Sequence, residues 1–222
     1  MVGLCRKFLI NMRKISITVI LLICSIITKA QQSEHSYTTP PQEFSLSAGA
    51  VNTAILQKRF YGGYLDLKYY PVKRWATGLS FSLVGRKITD TFTYSIGQPL
   101  VDFYEIGWVN QYDIIQKDKI RLGVSLNNGV AISRLGDNAE KEKYWARFGS
   151  GKRAKEVATN YFYLLQPGLN VSYKIYSNTN SPDIYFTTKL QYRAVFGSPK
   201  YGQINDFSNY WIGAGITVLS DM

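Results

Sequence analysis

Nine charged residues of both signs fall at alternate positions of otherwise apolar segments, where a β-strand would turn them all to one face. They are Asp66, Lys68, Arg86, Glu105, Asp113, Arg121, Lys174, Lys189 and Arg193. Charges on the inner face of a closed sheet need partners, because removing an ion from water is unfavourable. We therefore predict salt bridges across the lumen, with Lys189 or Arg193 paired to one of the three acids. Paired carboxylates for acid–base catalysis are the alternative, but bases outnumber acids six to three in this set.

A second group combines bases with aromatic residues between positions 135 and 159. Its members are Tyr144, Trp145, Arg147, Lys152 and Arg153. Exposed aromatic residues and arginines are common where a protein binds a partner, so we interpret this segment as a recognition surface. Asp137 or Asn138 is placed to cap a short helix that would end at Arg147. The alternative is a solvated connector without a binding role.

Cysteine and histidine are too scarce for the other common site chemistries. The chain has two cysteines and one histidine, whereas a zinc site built from such residues needs about four. Cys5 and Cys24 both lie in the first thirty residues, and His35 follows shortly after them. We therefore expect no catalytic residue, no metal and no cofactor, and we predict that the protein is not an enzyme.

Residues 1–30 have the composition of a secretory signal peptide. Bases without an acid precede an apolar run over 15–27, and Ala30 supplies a small residue for cleavage. The run is shorter than the roughly 20 residues that a membrane-spanning helix needs. An alternative start at Met12, an uncleaved anchor and lipidation of Cys24 are the other interpretations. We divide the chain into a signal peptide (1–30), a polar periplasmic leader (31–42) and a barrel domain (43–222).

Cleavage of the signal peptide would change the charge of the protein. The whole chain has 26 bases and 15 acids, a net charge of +11. Loss of five bases and no acid leaves 21 bases against 15 acids, a net charge of +6. These bases are scattered, whereas nucleic-acid binding needs them clustered on one face. We therefore expect no nucleic-acid partner.

Eight segments alternate apolar and polar residues with period two, as amphipathic strands do. They cover 43–52, 61–71, 75–87, 103–114, 119–134, 160–176, 184–196 and 207–219. Each has the roughly 10 residues that a tilted strand needs to cross a bilayer. Short links at 71–74, 115–118 and 177–183 alternate with longer ones at 53–60, 88–102, 135–159 and 197–206. Short periplasmic turns and longer external loops are typical of outer-membrane barrels. The pattern predicts an all-β fold, an eight-stranded antiparallel up-and-down transmembrane β-barrel that follows a cleaved signal peptide.

The two faces of these strands differ in composition. One face carries large aliphatic and aromatic residues, and the other is rich in glycine, serine and other polar residues, as suits the crowded interior of a narrow barrel. Aromatic residues near the strand ends predict girdles at the two membrane interfaces. These residues are Tyr69, Trp75, Tyr104, Tyr161, Tyr173 and Tyr210. Pro167 lies inside the sixth strand, where its missing donor predicts a β-bulge.

These features together resemble those of a known family. The mature chain resembles the small outer-membrane β-barrel proteins of Gram-negative bacteria, of the eight-stranded OmpA/OmpX-like type. The resemblance covers 43–219 and includes the run Gln166-Pro167-Gly168-Leu169-Asn170-Val171-Ser172-Tyr173. It implies an integral protein of the bacterial outer membrane, in contact with membrane lipid and lipopolysaccharide and inserted by the barrel-insertion machinery. Enzymes of this barrel type rely on histidine with serine, and His35 lies before the first strand.

We therefore expect a structural or surface-binding barrel whose lumen is filled by side chains and whose recognition depends chiefly on 135–159. One alternative is a narrow, porin-like passive channel. Another is a secreted soluble β-barrel that binds a small hydrophobic ligand.

Overall fold

The fold was obtained as a computed structural model, which describes residues 43–146, 149–178 and 181–221. Eight strands and one short helix lie within these ranges. They are β1 (Glu43–Ile55), β2 (Lys58–Val72), β3 (Trp75–Lys87), β4 (Pro99–Lys117), β5 (Ile120–Ala146), β6 (Gly149–Asn178), β7 (Ser181–Phe196), α1 (Ile204–Phe207) and β8 (Asn209–Asp221). Each strand pairs antiparallel with the next, and β8 pairs with β1, so the sheet closes into an up-and-down barrel. The predicted signal peptide and leader lie outside the described residues.

The two ends of the barrel differ in their connections. At one end, β2 turns into β3 at 73–74 and β4 turns into β5 at 118–119. The strand β1 starts and β8 finishes at this end, which we call the turn end. The opposite end, the loop end, carries the connections at 88–98 and 197–208 and the hairpin between β5 and β6.

The first connection at the loop end is much shorter than predicted. The sequence suggested a long link over 53–60, but β1 and β2 stay paired as far as Ile55 and Lys58. The chain reverses at Leu56 and Gln57, whose φ angles are 50° and 59°. Two left-handed residues form the tight turn that matches the right-handed twist of paired strands. Neither residue is a glycine or asparagine, so the usual sequence signal for this turn is missing.

The predicted helix within 135–159 is wrong. The strand β5 continues to Ala146 and β6 starts at Gly149, so these two strands form a hairpin that extends past their neighbours. Glu142 and Arg153 face each other across it, with 2.8 Å between Oε1 and Nε. The continuing ladder and opposite charges on facing strands outweigh the helix propensity of an Ala/Glu/Lys-rich stretch.

The bulge predicted at Pro167 is also wrong. Pro167 pairs in regular register with Leu126 of β5. On the β7 side, Leu165 and Gly168 keep the same register on either side of it, and the two residues between them are not paired with β7. A short gap in the ladder accommodates the missing donor, so no extra residue is needed.

The outer surface is an apolar belt. Large side chains such as Leu79, Ile106 and Leu190 are about half exposed, at 54%, 52% and 52%. None of the six aromatic residues predicted for the girdles is buried, and Tyr161 is 64% exposed. An apolar surface this extensive suits hydrocarbon rather than water. In the described part of the chain, no helix has the length and apolar character needed to span a membrane.

The interior differs between the two halves of the barrel. Towards the turn end it is polar, as expected from the sequence. Towards the loop end it is apolar, because the inward positions of β2, β4 and β6 change to Phe60, Phe103 and Phe162. The expectation of a polar interior along the whole lumen is therefore wrong for the loop-end half.

Candidate functional site

The ion pair between Lys189 and Asp66 lies in the middle of the lumen and joins β7 to β2. Each residue is 3% exposed. The Ser80 hydroxyl donates to the second oxygen of Asp66 at 2.8 Å. The Lys189 ammonium also lies 4.3 Å from the centre of the Tyr64 ring. Both charges are thus compensated where water is excluded.

Arg193 forms the next pair towards the loop end and is the largest fully buried side chain. Its Nη1 donates to Glu105 Oε1 at 2.9 Å. Its Nε donates to the carbonyl of Phe207 at 2.8 Å, and Nη2 donates to that of Ala54 at 2.9 Å. The guanidinium lies 4.5 Å from the centre of the Phe103 ring. Arg193 therefore links β7, β4, β1 and α1 at the boundary between the polar and apolar halves.

Arg121 organises the polar half near the turn end. Its Nη2 lies 3.2 Å from Glu43 Oε2, and its Nε lies 3.5 Å from Asp113 Oδ2. Gln111 donates to Asp113 Oδ1 at 2.7 Å and accepts a hydrogen bond of 2.7 Å from Lys68 Nζ. The Gln111 amide therefore connects the buried lysine to the carboxylate.

The mouth of the lumen at the turn end is open and polar. Lys174 forms an ion pair of 2.6 Å with Asp183, and both line a cavity of about 630 Å³ together with Arg121 and Tyr185. In the residues that the structure describes, no group of three or more His, Cys, Asp and Glu side chains is placed to hold a metal ion.

Eight of the nine predicted charges line the lumen or its mouth, and Arg86 is the exception. Arg86 is exposed at the loop end and donates from Nη1 to the carbonyl of Arg59 at 2.5 Å. Sequence reasoning missed Glu43 and Asp183, although Glu43 falls on the inward period of β1 with Ser45. With Glu43 and Asp183 included, the ion pairs of the lumen and its mouth join four bases to five acids, and Lys68 donates to Gln111 instead.

The connection over 197–208 enters the loop end of the lumen instead of lying outside it. Phe207 of α1 is fully buried, with its ring centre 4.9 Å from that of Phe162. Tyr201 shares a hydrogen bond of 2.6 Å with Ser133, and its carbonyl accepts one of 3.1 Å from Asn160. We call the segment 197–208 the plug. The expectation that all long links are external is wrong here.

Asp137 ties the base of the hairpin to the connection over 88–98. Its carboxylate accepts backbone hydrogen bonds from Gly97 at 2.8 Å, Gln98 at 2.9 Å and Ala139 at 2.9 Å. These three donors hold the pKa of the Asp137 carboxyl below its usual range. The sequence predicts only a helix cap for Asp137. Its role as an anchor could not be predicted, because its partners Gly97 and Gln98 lie about 40 residues away in the chain.

The candidate recognition residues lie on the hairpin. The backbones of Tyr144 and Trp145 are near the end of β5, and Lys152 and Arg153 are exposed on β6, where they pair with Lys143 and Glu142. Arg147 lies outside the described residues. The structure therefore brings four of the five residues to one element that projects from the barrel.

Comparison with known proteins agrees with this architecture. No protein-family model and no curated protein match the sequence. Neisserial surface protein A (NspA) matches in structure with a TM-score of 0.53 at 10% identity, over 80% of this chain and 96% of NspA. The outer membrane protein OprG of Pseudomonas aeruginosa matches with a TM-score of 0.52 at 10% identity, over 83% of this chain and 98% of OprG. Ail, the attachment invasion locus protein of Yersinia pestis, was solved with the heparin analogue sucrose octasulfate and has a TM-score of 0.49 at 15% identity, over 81% and 99% of the two chains.

The fold defines the class of protein. The closed ring of eight antiparallel strands is the fold of the small eight-stranded outer-membrane β-barrels, to which NspA and OprG belong. The predicted eight-stranded antiparallel up-and-down outer-membrane barrel is confirmed.

Proposed function

We propose that the protein is an integral outer-membrane barrel with a filled lumen and a structural or surface-binding role, without enzymatic activity. The observation that carries this proposal is the filling of the lumen by compensated ion pairs and an apolar cluster, inside a ring whose outer surface is apolar. By the usual arrangement of such barrels, the loop end faces the cell exterior and the turn end faces the periplasm. Export by a signal peptide, insertion by the barrel machinery, and contact with membrane lipid and lipopolysaccharide belong to this proposal.

The outer surface favours a membrane protein over the alternative of a soluble carrier. A soluble barrel that binds a hydrophobic ligand would have its apolar residues around an internal cavity and polar residues outside. Here the outward Leu46, Leu67 and Leu169 are each about half exposed, while the mid-lumen positions carry ion pairs. Extraction only with detergent and a heat-dependent gel shift are the expected biochemical signs.

The filled lumen predicts that the wild-type barrel does not conduct. In planar bilayers we expect no steady current, because Arg193, Phe103 and Phe207 occupy the lumen where a pore would run. A large open porin recorded in the same bilayers is the positive control for detection. Steady conductance on the nanosiemens scale would contradict a filled lumen and favour the alternative of a passive channel.

The hairpin of β5 and β6 is the part of the barrel best placed to bind a surface partner. It extends beyond the strands on either side and carries exposed Lys152 and Arg153. The pair of Arg153 with Glu142 and that of Lys155 with Glu140, at 2.7 Å, connect its strands. A connected two-stranded element loses less conformational freedom on binding than a mobile loop does.

Deleting 140–153 and joining Ala139 to Ala154 through Asn-Gly should abolish surface binding and leave insertion intact. The shortened turn keeps the Asp137 anchor, and loop closure depends only weakly on length. Insertion is measured by the heat-dependent gel shift, and binding by adhesion of expressing bacteria to cells or matrix. A variant in which 140–153 is replaced by Gly/Ser residues of equal number controls for length. Loss of insertion would make the hairpin part of the fold, and unchanged adhesion would make it a simple connector.

A further inference from the structure

Four bases cluster at the loop end of β2 and β3, on the side of the barrel away from the hairpin. They are Lys58, Arg59, Arg86 and Lys87, and we call them the cationic rim. Arg59, Arg86 and Lys87 are exposed, and strand alternation turns Arg59 and Lys87 outward. Arg86 is held by the Arg59 carbonyl at 2.5 Å, and Lys58 Nζ donates to Thr89 at 3.0 Å.

In the described ranges the cationic rim has no acidic partner, in contrast to three bases of the hairpin. Arg134, Arg153 and Lys155 on the hairpin all form ion pairs with glutamates. Within the described ranges, none of the four rim bases forms an ion pair. Their charge is therefore available to an external anion.

The apolar belt begins directly below the cationic rim. Tyr61 follows Arg59 by one outward position on β2 and is 61% exposed. Leu65 on the same strand and Leu83 on β3 are 47% and 40% exposed. Gly85 lies opposite Tyr61, so no side chain separates Lys87 from this apolar surface. The bases thus stand at the height where hydrocarbon gives way to lipid headgroups.

We propose that the cationic rim binds the phosphate groups of a phosphorylated lipid in the membrane leaflet at the loop end. This inference rests on the proposed membrane insertion. The outward Arg59 can donate paired hydrogen bonds to phosphate oxygens, and the outward Lys87 adds a point charge beside it. Arg86 and Lys58 fall on the inward period at the strand ends and add charge next to them. The exposed surface of Tyr61, Leu65 and Leu83 contacts the acyl chains of the same molecule. A lipid fits better than a soluble anion because the charged and apolar surfaces adjoin.

Retention of lipid A by the purified barrel tests this proposal. The full chain is purified from mixed micelles that contain bisphosphorylated lipid A, and the lipid phosphate retained per barrel is measured. The variant R59Q/R86Q/K87Q should bind at least about tenfold more weakly than wild type, because each base near an anionic lipid contributes about fivefold. The control R74Q/K117Q/K119Q removes the same charge from exposed residues at the turn end and should retain lipid A like wild type.

Two control ligands identify the chemistry that is bound, and the gel shift separates this inference from the proposed function. Dephosphorylated lipid A should not be retained, and glucosamine bisphosphate without acyl chains should not compete. Equal retention by the rim variant, equal loss in the control, or equal competition by the soluble phosphate would overturn the inference. The gel shift of each variant reports insertion separately, so its absence in wild type would overturn the proposed function instead. If the triple variant fails to insert, the single variant R59Q and the salt dependence of lipid A retention by wild type test the same inference. Retention that does not depend on salt would overturn it.

Discussion

Replacing Arg193 with methionine should lower the free energy of unfolding by about 3–5 kcal/mol, the range typical for breaking a buried ion pair. Arg193 is fully buried, and its loss leaves the Glu105 carboxylate, which is 3% exposed, without a countercharge. It also leaves the carbonyls of Phe207 and Ala54 without their donor. Urea unfolding in lipid vesicles, followed by the gel shift, measures the change.

Two further variants show whether the loss comes from the uncompensated charge. The double variant R193M/E105Q removes both charges and should regain a large part of the stability lost in R193M, because a buried pair replaced on both sides is often nearly neutral. Lys87→Met removes a base that is exposed and unpaired in the described structure, and it should change stability by less than about 0.5 kcal/mol. A loss in R193M no larger than in Lys87→Met would contradict the anchoring role of Arg193.

The sequence predicts correctly those features that depend only on local residue pattern, namely the strands and the face to which each side chain points. Period two in eight segments sufficed to predict the strands, because the side chains of a strand alternate between two faces. The same alternation placed Asp66, Glu105, Lys189 and Arg193 inside. The expected pairing of Lys189 and Arg193 with acids is present in the lumen.

Features that depend on distant segments were not predictable in this way. The plug is a polar stretch with a few aromatic residues in the sequence, and its burial follows from Asn160 and Arg193, which lie on other elements. The hairpin depends on pairing between strands whose local composition favours helix. The turn at Leu56 and Gln57 is imposed by the register of β1 and β2 and not by turn-forming residues.

Replacing Gly62 with alanine should lower the free energy of unfolding by about 3 kcal/mol or more, at the upper end of overpacking effects. Gly62 lies on the inward period of β2, where the tightly curved sheet brings the next strand close. A Cβ at this position would lie 1.9 Å from the Leu83 carbonyl oxygen and 2.7 Å from the Val84 Cα. Both atoms belong to the backbone of β3, so relief requires the two strands to separate and weakens their ladder.

The neighbouring Gly63 provides a control in the same strand. Gly63 lies on the outward period, and the nearest atom to an added Cβ there is the Gly49 carbonyl oxygen at 3.5 Å, an ordinary contact. Gly63→Ala should therefore change stability by less than about 1 kcal/mol, since removal of glycine also lowers the entropy of the unfolded chain. Composition and strand propensity are the same for both substitutions, so a large difference between them would reflect only the inward crowding of the barrel. Equal effects of the two substitutions, measured by urea unfolding in vesicles, would show that β2 and β3 are not packed as closely as the structure indicates.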